Sequence, residues 1–148
     1  MNKQQIIAQQ VNQLIPDAAV FYQKLRNYHW NIKGEVFFEL HEKFEELYTE
    51  WSDVIDTLAE RVLMLGGRPY STLREMVDNA TLEERVEFAN EREVVEHVVE
   101  VLDILSSKMS AVSNEAATEG DRGTIFTLDS VVAATEKHAW MLRTWLAR

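Results

Sequence analysis

Apolar side chains return at three- and four-residue steps along four long stretches of the chain, and nowhere do apolar and polar positions alternate as in a half-buried strand. The first stretch covers residues 2 to 31, where Ile6, Ile7, Val11, Leu14, Ala18, Phe21, Tyr22, Leu25 and Tyr28 share one side of a helix. Pro16 interrupts it, and its missing N–H predicts either a kink or a fresh start at Asp17. The second helix runs from about Val36 to Leu65 and stops at Gly66-Gly67-Arg68-Pro69. In the connection that follows, Thr72 is placed to cap a short helical piece, Leu73 to Val77, which Asp78-Asn79 close. The third helix spans about Leu82 to Ala117, with Phe88, Val95, Val98, Val99, Leu102, Leu105, Met109 and Val112 on its apolar stripe and Gly120 and Gly123 ending it. Thr124 is placed to cap the fourth, which carries Ile125, Leu128, Val132, Trp140, Leu142 and Leu146. The pattern predicts one domain over residues 1–148, an all-α four-helix bundle whose second and third helices are joined by a long crossover carrying a short helix.

The second helix has three faces. At about 100° per residue, Leu40, Phe44, Leu47, Trp51, Ile55, Leu58, Val62 and Leu65 cluster on the face for the chain's own core. His41, Glu45, Asp56 and Glu60 lie on another, beside Ser52 and Ala59, whose small side chains would let a second helix approach. Glu39, Glu42, Glu46, Glu50 and Asp53 form a third, strongly acidic face.

Two of the gaps on the second face, His41 to Glu45 and Asp56 to Glu60, are single i,i+4 steps, so each pair could grip a metal ion. One chain cannot close all of them on a single ion, because Glu45 and Asp56 stand roughly 16 Å apart along the axis. Both 45 with 56 and 41 with 60 are centred between Glu50 and Trp51, however. Two copies packed antiparallel across a two-fold axis there would set His41 against Glu60 and Glu45 against Asp56, the self-complementarity an isologous dimer requires. His29, in the last turn of the first helix, is a fifth candidate. The intrachain alternative, a bundle with Glu-x-x-His on two helices, is absent: Arg26, Phe38, Val94 and Thr135 stand three residues before the four histidines.

Composition narrows the chemistry. With no cysteine, the strong ligands are oxygen and imidazole, a set that suits iron, manganese or zinc. Acidic residues outnumber basic ones 25 to 15, and the net charge of −10 favours cations over phosphate backbones. The 46% hydrophobic content supports a sound core, yet no run approaches a membrane span and no leader-like segment opens the chain, so a cytoplasmic protein is expected.

The run His29-Trp30-Asn31-Ile32-Lys33-Gly34, followed by Phe37-Phe38-Glu39-Leu40-His41-Glu42-Lys43-Phe44, Asp56-Thr57-Leu58-Ala59-Glu60-Arg61 and Gly66-Gly67, resembles the Dps family of mini-ferritins within the ferritin-like superfamily. That resemblance implies a hollow dodecamer built from two-fold dimers, oxidising Fe(II) preferentially with hydrogen peroxide and storing ferric mineral, which protects against oxidative damage. It implies a ferroxidase site with two iron positions, shared between subunits, with His29, His41 and Glu45 from one and Asp56 and Glu60 from its neighbour. The family usually has aspartate where Glu45 stands, and the extra methylene shifts the oxygens at the second metal position. Trp30 would sit beside the site, Glu42, Glu46, Glu50 and Asp53 would face the cavity to nucleate mineral, and Asp121 would line an iron-entry pore, although Phe126 and the out-of-register Asp129 leave the rest of that pore unmatched.

Two rival functions stand beside this one. Some members of the family bind the nucleoid through lysine-rich tails, but Met1-Asn2-Lys3-Gln4-Gln5 holds one lysine, Arg143 and Arg148 make no basic arm, and direct DNA binding is not expected. A non-catalytic structural oligomer would use the same stripe only as a polar interface. His97 and His138 are expected at the surface or an interface, Trp30, Trp51, Trp140 and Trp145 as core or interface aromatics, and Asp121 equally well as a helix-terminal charge.

Overall fold

In the computed structural model, which describes residues 1–147, the chain is five helices: α1 (Lys3–Asn31), α2 (Phe37–Met64), α3 (Leu73–Asn79), α4 (Glu91–Thr118) and α5 (Arg122–Leu146). Four are long and form the bundle, and short α3 lies in the crossover between the second and third of them. Arg148 lies outside the described residues. α1 packs chiefly on α2 and α4 on α5, each pair joined by a short link, while α1 also meets α4 and α3.

Of the two readings left open at Pro16, the fresh start at Asp17 is excluded: α1 runs through the proline from Lys3 to Asn31. An interior proline costs roughly 3 kcal/mol, and it is tolerated here because the residues around it, Val11, Leu14, Ile15, Ala18 and Phe21, are all buried. Asn2 and Gln5 form a capping box at the start of α1. α2 ends as the paired glycines predict. Gly66 adopts φ +85°, and the amides of Gly66 and Gly67 bond to the carbonyls of Leu63 and Val62, a Schellman closure. The core face of α2 is as expected, with Leu40, Phe44, Leu47, Trp51, Leu58, Val62 and Leu65 buried; the Trp51 ring stands edge-on to Phe21 with centroids 5.1 Å apart.

Three boundaries differ from expectation. Thr72 caps α3 as predicted, with Glu75 closing the box, but α3 extends through Asn79. The third long helix begins at Glu91, not Leu82. Asp17, only 1% exposed on α1, accepts from the amides of Thr81 and Leu82, from the Thr81 hydroxyl and from the Lys108 ammonium. The Tyr28 hydroxyl donates to the Arg85 carbonyl, and Asn90 caps the helix that then starts. Side chains on α1 and α4 therefore supply the backbone partners that helical turns would have supplied over residues 81–90, and Leu82 and Phe88 still pack on the core. Burial alone would raise the Asp17 carboxyl, but Lys108, the Thr81 hydroxyl and the two amides outweigh it and hold the group below its ordinary value.

The last long helix is capped by Asp121, not by Thr124. Asp121 accepts from the Thr124 amide at 3.1 Å and the Thr124 hydroxyl at 2.6 Å, and Thr124 itself is buried. Gly123, expected to end the preceding helix, instead lies inside α5, where a Cβ would come within 2.7 Å of the Arg61 guanidinium. The glycine leaves room for the Arg61 guanidinium, which bonds to Asp121 at 2.8 Å and to Thr124 at 3.0 Å. No described helix is long and apolar enough to cross a membrane.

Candidate metal centre

His29 closes α1 and His41 lies in the second turn of α2, twelve residues on, so the short link between the helices folds one imidazole onto the other. The rings stack with centroids 3.7 Å apart and planes 13° from parallel. Each Nδ1–H donates to the other residue's backbone carbonyl, both at 2.6 Å. The reciprocal pair satisfies two carbonyls near the helix junction and fixes one tautomer on both rings, leaving the two Nε2 lone pairs free. Phe37 stacks on His41 with centroids 4.8 Å apart, Tyr48 meets His29 edge-on at 5.3 Å, and His29 is buried.

Glu45 extends toward this pair. Its carboxylate lies 3.7 Å from His29 Nε2, beyond a hydrogen bond, and its side chain is 58% exposed. The gap has the dimensions of a position where an ion could sit between imidazole and carboxylate. Asp56 and Glu60 are exposed and form no hydrogen bond or ion pair among the described residues. No three of the described histidine and acidic residues come together closely enough to hold an ion within one chain. The structure thus brings His29 to His41 and Glu45 and leaves Asp56 and Glu60 apart from them on the same helix.

The remaining candidates divide. Trp30 is 56% exposed, with the Arg26 guanidinium 4.9 Å over its ring. Glu42 and Asp53 are exposed, Glu46 takes a 3.4 Å contact from Lys43, and Glu50 accepts from His138 Nε2. Asp121 is the N-cap and Arg61 partner already described; burial works against its charge, but Thr124 and Arg61 more than offset it and keep the carboxyl below its ordinary value. Of the tryptophans, Trp51 is core, Trp140 is exposed, and Trp145 donates to Glu39 at 3.3 Å.

Of the two histidines expected at the surface or an interface, His138 is buried and His97 half-buried, each held by partners within the chain. His138 is buried between α2 and α5, accepting from Lys43 at Nδ1, 3.1 Å away, and donating to Glu50. His97 accepts from the buried Lys24 ammonium at 3.0 Å and packs against Tyr28 and Phe88. Burial, then the adjoining Lys24, lowers His97, while burial and Arg85 lower Lys24. Their partners lie 88 and 73 residues away, so nothing local marked them. Tyr48 was missed for a different reason: it lies seven residues after His41 and three after Glu45, a same-face spacing that would have flagged it.

Residues 8–148 match the model of the ferritin-like domain. The "DNA protection during starvation protein" of Brevibacillus brevis is 43% identical over 143 residues, covering 97% of this chain and 96% of that one. Among solved structures, a Dps protein from Bacillus brevis superposes with a TM-score of 0.94 at 42% identity, covering 99% of this chain and 98% of the other. A Dps protein from Vibrio cholerae O1, described as a member of a broad superfamily of ferritin-like diiron-carboxylate proteins, gives 0.93 at 37% identity, covering 97% and 91%.

Proposed function

Because the chain belongs to the Dps family of ferritin-like proteins, we propose that it oxidises Fe(II) with hydrogen peroxide at sites shared between two-fold-related subunits and stores the ferric product inside a dodecameric shell. The observation that carries this reading is the tied imidazole pair: His29 and His41 bond to backbone through Nδ1 and keep Nε2 uncommitted near Glu45, while Asp56 and Glu60 wait bare on α2. Two-fold antiparallel packing of α2 would bring the carboxylates of one copy to the imidazoles of the other. Fe(II) is the substrate at two positions, with His29, His41 and Glu45 from one subunit and Asp56 and Glu60 from its partner holding it.

Hard carboxylate oxygens hold Fe(III) more strongly than Fe(II), so a carboxylate-rich site favours oxidation, and imidazole keeps the metal redox-accessible. Two Fe(II) give two electrons to one peroxide; its O–O bond breaks, two protons are taken up, and both oxygens leave as water without releasing hydroxyl radical. The exposed carboxylates of Glu42, Glu46 and Asp53, with half-buried Glu50, would then collect Fe(III) for mineral growth, with Asp121 near an entry route. The cytoplasm is the compartment this reading assigns.

Relatives carry a name that speaks of DNA protection. For this chain, −10 per subunit opposes direct phosphate contact, and protection would come from removing iron and peroxide together. The test is anaerobic Fe(II) loading followed by peroxide, read by ferric absorbance, particle size and radical trapping. Expected are Fe(II) bound at the dimer two-fold, oxidation of two irons per peroxide and growth of a ferric core. Failure to bind Fe(II) there would leave only a structural oligomer, and full turnover by dispersed monomers would overturn the shared site.

A further inference from the structure

The aromatic surroundings of His29 carry an inference that rests on the iron-oxidising reading and goes beyond it. Tyr48 stands edge-on to the His29 imidazole, centroids 5.3 Å apart at 79°, and edge-on again to Tyr22 at 6.0 Å and 83°. Above Tyr22 lies the Arg26 guanidinium, 5.4 Å from the ring centroid, and the same guanidinium lies 4.9 Å over Trp30. Three oxidisable rings therefore lead away from an imidazole that would hold iron, and two of them share one cation. Phe37, the ring stacked on His41, is not oxidisable under these conditions, and Trp51 is engaged with Phe21 in the core.

Arg26 makes these rings unequal. Its charge is permanent, and it is held by the negative π faces of Tyr22 and Trp30. Taking an electron from either ring removes the density that attracts the cation and sets positive charge against it, so both become harder to oxidise. Among the described residues no guanidinium or ammonium lies over Tyr48. The ring in contact with His29 is thus also the one whose oxidation meets least opposition.

We propose that Tyr48 is a one-electron donor to the iron site through His29, and that Arg26 confines the resulting radical to Tyr48 by keeping Tyr22 and Trp30 hard to oxidise. The device acts when only one Fe(II) occupies the site, since peroxide needs two electrons and a single iron supplies one. Fe(II) then gives one electron and becomes Fe(III). The Tyr48 phenol gives the other and loses its hydroxyl proton to water. Peroxide takes both electrons, its O–O bond breaks, and with two protons its oxygens leave as two waters in place of one hydroxide and a hydroxyl radical. The next Fe(II) to bind returns an electron to Tyr48, and solvent returns the proton.

The experiment loads the assembled oligomer anaerobically with substoichiometric Fe(II), adds hydrogen peroxide, and examines freeze-quenched samples by electron paramagnetic resonance, using protein with ring-deuterated tyrosine to identify the signal. The parent should show a phenoxyl radical that is lost in Tyr48→Phe and kept in Tyr22→Phe, with anaerobic Fe(II) binding and thermal unfolding of Tyr48→Phe unchanged. Arg26→Leu should move part of the signal to an indole radical and raise oxidation of Trp30 seen by mass spectrometry after repeated turnover. A phenoxyl signal that survives in Tyr48→Phe, an indole radical already dominant in the parent, or no change in Arg26→Leu overturns the proposal. So does peroxide-driven iron oxidation in the parent with no protein radical, which leaves the ferroxidase reading intact; absence of Fe(II) binding in the parent overturns both.

Discussion

Two groups of carboxylates in this protein have been treated in opposite ways. Asp17, where α1 meets the crossover, is 1% exposed and takes hydrogen bonds from two amides, a hydroxyl and an ammonium, all within its own chain. Asp56 and Glu60, on α2, are exposed and have no partner among the described residues. The side chains are chemically alike, yet the fold satisfies one completely and leaves the other two bare. An acid that maintains the fold is finished by the fold, because a buried charge without partners is too costly to keep. An acid meant for something outside the chain has to stay open until that partner arrives. The imidazoles make the same point from the other side: one nitrogen of each is spent on a backbone carbonyl and the other is left.

If this division is right, the two groups should fail in different assays. The largest effect is expected from the double variant Asp56→Ala, Glu60→Ala. It should slow peroxide-driven Fe(II) oxidation by at least the roughly 10–100-fold that loss of even an outer partner of a metal ligand costs, with the unfolding free energy of the subunit within about 0.5 kcal/mol of the parent. Unchanged oxidation kinetics in that variant would remove these residues from the site.

Asp17→Ala should show the reverse, leaving anaerobic Fe(II) binding in place while lowering stability by about 3 kcal/mol, the lower end of what breaking a buried pair costs because Lys108 is partly exposed. Chemical denaturation measures it, and a loss confined to iron binding would contradict the comparison.

The pH dependence sharpens it further. A carboxyl held below its ordinary value contributes stability that is complete above 3.8 and disappears as pH falls through the lower folded value. The parent should therefore lose denaturation midpoint steeply between about pH 5 and pH 2, and Asp17→Asn should lose less over the same interval because its contribution is already gone.

The smallest effect is expected at Glu45, which reaches His29 only at 3.7 Å. Shortening it in Glu45→Asp keeps the charge and moves the oxygens by one methylene, so Fe(II) affinity at one of the two positions should change by a few-fold, on the order of 1 kcal/mol or less. Calorimetric titration with Fe(II) under anaerobic conditions would show it, and loss of binding at both positions would mean that Glu45 holds the pair together.

The long helices were legible in the sequence, because the helical repeat is local: Leu40, Phe44, Leu47, Trp51, Leu58 and Val62 announce their buried face without reference to any other segment. So were Gly66-Gly67 and the Thr72 box, whose chemistry acts within a few residues. The start of α4 was not. Residues 82–90 carry apolar and charged positions compatible with a helix, and Asp17 and Tyr28 from α1, Glu93 of α4, which accepts from the Ala89 amide, and Asn90 at the true cap decide against it. Asp121 was legible as a helix-terminal charge, but its pairing with Arg61 across the bundle was not.

By itself, the sequence determined the helical register of α2, the three faces of that helix and the mirror-symmetric spacing of His41, Glu45, Asp56 and Glu60, since all of these follow from a fixed rise and rotation per residue. Only the tertiary structure decided that His29 and His41 would lock each other's tautomer, that His97 would meet Lys24 and His138 Lys43, and that Tyr48 would rest against an imidazole. Those outcomes depend on which backbone carbonyls, cations and ring edges meet when helices pack, and contacts between segments so far apart in the chain leave no periodic trace along it.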